Sequence, residues 1–514
     1  MEKLSLINYD KFKPRLYQEL IAATAVKNNT LCILPTGLGK TYVAILVSAF
    51  RLERIPNSKI LMIAPTRPLV NQHMQTFKKM MNLDESKLIA LTGKIHQNDR
   101  KAFYESGKIF FATPQIIKND TDNGILNLSN FSLLIVDECH RSVKKYAYTD
   151  VVERYYSSSD YPLILGLTAS PGGMQDKIDE VKERLKIESV EVRTEQDIDV
   201  KPYVKEVKTE QVYVELPREF ESIKMNLEDF YREKMSKLVE AKLLFSLKAT
   251  KKELLDVQKK LGEMYNESRD YSIAKYLIIC SQAIKIEHAI GLLETQGISS
   301  LYKYFANMEK NKTSSSKQIF NDNRIVTAFR LIKELYIKGE EHPKMKKLVE
   351  IVKKEIEQKK NVKIIVFANF RDTVDKIKKV LQAEGVEARE FIGQTKKSGK
   401  GLSQKEQIQI INEFEYELFN VLIATSIGEE GLSIPAVDVV IFYEPIPSEI
   451  RTIQRRGRTG RTEAGKVIFL ITKNTRDEWY FWSAHRKEKR MKSIIKEMQY
   501  KLKSNDKTIK DYVS

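Results

Sequence analysis

At 514 residues the chain exceeds what one hydrophobic core serves and suits two or three domains. Hydrophobic residues make up 42% and charged ones 30%, a balance that excludes disordered and fibrous classes, and the longest apolar stretches, such as Tyr42 to Phe50, are too short to cross a bilayer. The net charge of +18, more than half of it carried after residue 340, favours an anionic partner over a membrane.

From Leu31 to about Ser170, short apolar and β-branched runs (LCILP, KILMIAP, KIFFAT, SLLIVDE, LILGLTAS) alternate with helical stretches. That alternation predicts a parallel α/β sheet, assigned to residues 1–200. From Lys201 the periodicity turns helical, as in EFESIKMNLEDFYREKMSKLVEAKLLF, and residues 201–342 read as a helical insertion. Within it the polar run NKTSSSK, Asn311 to Lys317, reads as a flexible loop. After His342 and Pro343 a second series (KIIVFAN, NVLIATS, VDVVIFYE, KVIFLIT) predicts another sheet domain over 343–514.

That domain ends in a basic helical tail. Trp479, Tyr480, Phe481 and Trp482 precede Arg486, Lys487, Lys489, Arg490, Lys492, Lys496, Lys501 and Lys503. Trp479 and Trp482 are expected to pack on the second sheet domain, while the basic residues suit either solvent or nucleic acid. The three cysteines, Cys32, Cys139 and Cys280, are too dispersed for a disulfide framework or a zinc knuckle, and the opening MEKLSLINYDKF lacks the apolar core of a secretory signal, so a cytoplasmic location is expected.

The chemistry starts where LCILP runs into PTGLGKT and then a helix-forming segment. Backbone N–H groups of Thr36, Gly37, Leu38, Gly39 and Lys40, which follow Pro35 in the nucleotide-binding loop, suit a triphosphate cradle, with Lys40 reaching the outer phosphates and Thr41 holding Mg²⁺. Leu34 stands where the usual pattern has its first glycine, but the strand before and the helix after supply the required context. SLLIVDECH then ends a strand in two carboxylates at a sheet's ligand-binding edge. Asp137 is placed to hold Mg²⁺, and Glu138 to orient and deprotonate the attacking water of ATP hydrolysis. Far away, QRRGRTGR carries Arg458 and Arg461 three residues apart, with Gln454 a turn earlier. An arginine supplied by the other domain would stabilise the transition state only when the two domains close, which ties hydrolysis to motion.

Together these blocks resemble helicase superfamily 2, in order, across nearly the whole chain. PRLYQ (14–18) resembles the adenine-side motif, so Arg15 and Gln18 are implied as nucleotide-binding. PTRPLV, ATPQ, VFANFRDT and ATSIGEEGLSIP resemble motifs Ia, Ib, IV and V, implying nucleic-acid contacts at Thr66, Arg67, Thr113, Pro114, Phe370, Arg371 and Thr425. DECH and TASP resemble motifs II and III, implying His140, Thr168 and Ser170 as coupling residues. The variants LTASPG, GEEGLSIP and YEPIPSEIRTIQRRGRTGR, with the helical insertion, are similar to archaeal Hef helicases, relatives of the Fanconi anaemia M helicase.

That resemblance implies two RecA-like domains flanking a helical insertion. It also implies ATP- and Mg²⁺-dependent 3′-to-5′ remodelling of forks and Holliday junctions, with a sliding clamp or a nuclease as candidate protein partners. Ser433 replaces the aspartate that contacts ribose in many relatives, and no ERK-x-x-x-D nuclease motif occurs in these residues. Two rival readings share the same motor blocks: an ATPase stimulated by double-stranded RNA, and a junction-binding scaffold in which ATP only closes a clamp.

Overall fold

A computed structural model describes residues 3–93, 95–143, 147–172, 175–311, 313–393, 401–425, 434–456 and 465–505. Seven strands form the first sheet: β1 (Thr30–Ile33), β2 (Lys59–Ile63), β3 (Leu88–Leu91), β4 (Ile109–Ala112), β5 (Phe131–Asp137), β6 (Ile164–Thr168) and β7 (Ser189–Val192). They run in the order β3-β4-β2-β5-β6-β1-β7, all parallel. Side chains of successive strand residues leave on opposite faces, so Cys32 and Leu133 enter one core while Leu31 and Leu134 enter another. Helices cover both faces, which is why the central strands read as unbroken apolar runs.

The second sheet contains β8 (Val207–Val214), β9 (Ile364–Phe367), β10 (Ala388–Phe391), β11 (Val421–Ala424), β12 (Val439–Phe442) and β13 (Gly465–Thr472). Its order is β10-β11-β9-β12-β13-β8, again all parallel, with Ile364 and Val366 facing one core and Ile365 and Phe367 the other. The strand β8 corrects the expected start of the insertion at 201. The chain leaves the first sheet and pairs along all of β13 before any long helix begins. VKTEQVYV escapes detection because it is a largely exposed edge strand with only one face to bury.

The helical part runs from Arg218 to Ile337, with helices Arg218–Glu240, Lys251–Ser268, Tyr271–Thr295, Ile298–Lys310, Ser314–Phe320 and Asn323–Ile337. Tyr271–Thr295 has the length and composition to cross a bilayer, but its apolar side chains join the two cores of this bundle. NKTSSSK is not an open loop in its described part. Thr313 accepts a hydrogen bond from the Ser316 N–H to start a helix, Ser315 and Ser316 are buried, and the Lys285 ammonium donates to all three hydroxyls. Polar composition suggested solvent, whereas the hydroxyls are satisfied inside the protein.

One long helix, Arg476–Asn505, touches all three parts. Arg476 pairs with Glu287 and Glu294 of the bundle, and Asp477 forms a fully buried ion pair with Lys344 at the start of the second sheet domain. Lys344 also donates to the Tyr443 carbonyl, and removing either member of such a pair costs about 3–5 kcal/mol. Farther along, Phe481 enters the second sheet's core, and Met491 and Ile495 enter the first sheet's. The expectation that Trp479 and Trp482 anchor this helix is therefore corrected. Both are exposed, because the helical period turns Phe481 and Ala484 inward instead.

Candidate functional site

Strand register brings three separated motifs to one edge of the first sheet. Ile33 of β1 lies beside Thr168 of β6, whose Leu167 lies beside Asp137 of β5. The residues that follow these strand ends form the site, as expected at the carboxyl edge of a parallel sheet.

After β1, Gly37 (φ 83°) and Gly39 (φ 84°) turn the loop through the left-handed region and start the helix Lys40–Arg54. A Cβ on Gly39 would lie 2.6 Å from the Gln18 amide nitrogen and 2.7 Å from Tyr42, so no larger residue fits. The Tyr17 hydroxyl donates to the Leu38 carbonyl (2.8 Å) and the Gln18 amide donates to the same oxygen (3.2 Å). Arg15 donates to the Tyr17 hydroxyl and lies over the Tyr203 ring, 4.2 Å from its centre. The Lys40 ammonium rests 3.4 Å from the Leu34 carbonyl.

At the end of β5, Asp137 is buried, and its carboxylate oxygen Oδ2 lies 2.8 Å from His73 Nε2. The other nitrogen of that ring, Nδ1, faces the Thr41 hydroxyl at 3.4 Å. Burial would raise the Asp137 pKa, but His73, Lys40 and the Glu138 backbone N–H together hold it below the usual carboxylate value. The next residue, Glu138, adopts a left-handed backbone (φ 50°), a conformation that non-glycine residues keep where their surroundings enforce it.

His140 Nδ1 lies 3.1 Å from the Thr168 hydroxyl and 3.3 Å from Glu138 Oε2. The Thr168 hydroxyl donates to the Ser170 carbonyl and accepts from the Ser170 N–H, both at 3.1 Å. With the Thr168 proton so directed, Nδ1 of His140 is assigned as the donor. Burial, and secondly the neighbouring Arg141, lowers the His140 pKa to about 4, so its ring is neutral near pH 7. The three residues expected to couple thus form one chain of contacts from β5 to β6.

Across a cleft of about 340 Å³, the loop residues Pro35 to Leu38 face Ile453 and Arg456 of the helix Glu449–Arg456 and Glu488, Met491 and Lys492 of the long C-terminal helix. Arg193 and Tyr203 line the same cleft and had no motif to announce them. Gln454 falls within that helix, whereas Arg458, Arg461 and Ser433 lie outside the described residues.

The proposed strand-gripping positions also follow strand ends. Thr66 is the cap position of the helix Arg67–Met80, with Arg67 exposed. Thr113 precedes the helix Pro114–Asp122, and Pro114 is buried. In the second domain Phe370 is 44% exposed at the cap position of the helix Arg371–Ala383. Arg371 donates to the Gly393 carbonyl (3.1 Å), and Thr425 is largely buried. Beneath them Arg455 is fully buried over the rings of Phe367 and Phe442, and Glu444 accepts a 2.6 Å hydrogen bond from the Asn369 N–H.

Among known families, the type III restriction enzyme res subunit matches residues 11–173, and the helicase conserved C-terminal domain matches 343–463. A helical-bundle family provisionally described for ATP-dependent RNA helicases matches 219–341. Two helicase halves around such a bundle define an ATP-dependent helicase of superfamily 2. The crystal structure of the Pyrococcus furiosus Hef helicase domain superposes with a TM-score of 0.75 at 42% identity, covering 93% of this chain and 99% of that one. The chain belongs to the Hef helicase family.

A Methanocaldococcus jannaschii protein, provisionally named an ATP-dependent RNA helicase, is 47% identical over 97% of this chain and 62% of its own length. The Schizosaccharomyces pombe ATP-dependent DNA helicase fml1 is 33% identical over 89% of this chain and 57% of its own length. The chain thus spans about three fifths of these relatives.

Proposed function

We propose that this chain is the motor of an ATP-driven DNA helicase that translocates 3′ to 5′ and remodels forks and Holliday junctions during fork repair. One observation carries the reading: residues of the proposed phosphate loop of one sheet domain and of the helix that begins QRRGRTGR in the other line one cleft. Hydrolysis in such a cleft requires both halves, so closing and opening become steps of a motor cycle.

The donor set fits a magnesium ion. Thr41 and Asp137 supply a hydroxyl and a carboxylate, hard oxygen donors of the kind magnesium takes beside phosphates and water, and the His73 ring stands between them. When bound, the ion neutralises charge on the outer phosphate oxygens. Lys40 would hold those phosphates, Glu138 would orient the attacking water, and Arg458 with Arg461 would reach them from the second domain. Thr66, Arg67, Thr113, Phe370, Arg371 and Thr425 would grip one strand's backbone with little base preference, making binding salt-sensitive.

The choice of DNA is supported by the DNA-helicase names among the relatives, the choice of branched DNA by the family. The name of the Methanocaldococcus relative keeps double-stranded RNA as the second reading. The test is strand displacement and ATPase activity over forks, four-way junctions, linear and single-stranded DNA, and RNA duplex. Fork or junction DNA should stimulate most. Best stimulation by RNA duplex overturns the DNA assignment, and ATP-dependent binding without displacement makes the chain a scaffold.

A further inference from the structure

The helix Arg67–Met80 begins at a proposed nucleic-acid grip and, about 9 Å along its axis, delivers His73 to the nucleotide site. Its inward stripe is Val70, His73 and Phe77, of which Val70 and Phe77 belong to the first sheet's core. Packing that stripe needs only an apolar side chain. An imidazole there must be desolvated and is tolerated because both ring nitrogens find oxygen partners. Those partners, Thr41 Oγ1 and Asp137 Oδ2, belong to the two residues assigned above to the magnesium ion.

We infer that His73 is a positioning residue that couples the grip on nucleic acid to the nucleotide site. The inference rests on the motor reading and adds a specific route within one domain. Displacement of the Asp137 carboxylate or the Thr41 hydroxyl on nucleotide loading is felt at His73. The intervening residues form one continuous helix, Arg67–Met80, so a displacement at His73 moves it as a unit and reaches Thr66 and Arg67. Linkage makes the effect reciprocal: the factor by which magnesium nucleotide changes fork affinity equals the factor by which the fork changes nucleotide affinity.

The experiment measures binding, not turnover. Dissociation constants of a fluorescein-labelled fork are determined for the full chain with and without saturating Mg²⁺ and a non-hydrolysable ATP analogue. A ratio of roughly 5- to 150-fold is expected for the unaltered protein. His73→Asn, too short to reach Asp137, should bring the ratio to within about twofold of one, and His73→Gln, which can still donate to that carboxylate, should retain part of it. A wild-type ratio of one, or an undiminished ratio in His73→Asn, overturns the inference while leaving the motor reading intact. Failure of the unaltered chain to bind fork or nucleotide removes the motor reading as well. A second measurement needs no variant. Amide exchange across 67–80 should change when Mg²⁺ and nucleotide are added without DNA, and no change there also overturns it.

Discussion

Arg456 directs Nη1 at both carboxylate oxygens of Glu488, each 3.0 Å away, and so ties the helix that begins QRRGRTGR to the long C-terminal helix beside the cleft. Burial would raise the Glu488 pKa, but Arg456 and Lys492 outweigh it and hold the carboxyl below its usual value. A depressed carboxyl contributes stability that is complete above the unfolded pKa, about 4.3, and is lost as pH falls through the folded one. Glu488→Gln should therefore cost about 1–3 kcal/mol in urea unfolding at pH 7. The gap should hold down to pH 5 and shrink below about pH 4; an equal gap at pH 3 would show that the ion pair contributes nothing.

On the proposed reading, Lys40 holds the phosphates and Glu138 orients the attacking water. Lys40→Ala should lose nucleotide affinity, whereas Glu138→Gln should keep it and lose turnover. Neither should displace strands from a fork, and in the absence of nucleotide both should bind it within about threefold of the parent, since neither residue lies at the proposed grip. Normal displacement by Glu138→Gln would remove its assignment to the attacking water.

For Arg458 the expectation is a split between rate and affinity. Arg458→Ala should slow hydrolysis by on the order of 10³-fold or more, with ATP affinity nearly unchanged, because a finger acts on charge developing in the transition state. Single-turnover hydrolysis beside equilibrium nucleotide binding measures both, and an unchanged rate removes the finger role.

Tyr17 predicts the opposite split. Its hydroxyl is bonded to the Leu38 carbonyl in the loop assigned to the phosphates. Loss of one neutral hydrogen bond is worth about 1 kcal/mol. Tyr17→Phe should therefore raise the KM for ATP about fivefold and change kcat less than twofold. A fall in kcat alone would mean that the tether does not serve binding.

All nine strands legible in the sequence are interior strands, and the four that went unread, β3, β7, β8 and β10, are the four sheet edges. Interior strands bury both faces and read as apolar runs, whereas SVEV and AREF mix polar residues into a half-exposed edge. The site divides in a similar way. PTGLGKT and DECH were legible because backbone turns and paired carboxylates leave local patterns. Tyr17 and His73 were not, because each occupies an ordinary inward position of a helix and acquires its role only when another strand's end arrives beside it. Trp479 and Trp482 misled for the converse reason: large aromatics suggested burial, and the helical period put Phe481 there instead.

The last prediction concerns Glu444, beneath the loop that carries Phe370 and Arg371. It is completely buried, and one of its oxygens, Oε1, has no hydrogen-bond partner among the described residues. Burial raises its pKa to about 7, against the smaller opposing effects of the Asn369 N–H, Lys344 and Arg455. Between the unfolded value, about 4.3, and the folded one, the native state holds a proton that the unfolded chain has released. Stability must then fall as pH rises through that window, with the loss complete above the folded pKa. Glu444→Gln keeps an oxygen for Asn369 and removes the titration, so it should match the parent near pH 5 and exceed it at pH 8 by on the order of 2 kcal/mol in urea unfolding. If the variant is instead the less stable protein at pH 8, the carboxylate is ionised and compensated there, and the pocket between Asn369 and Arg455 holds a charge rather than a proton.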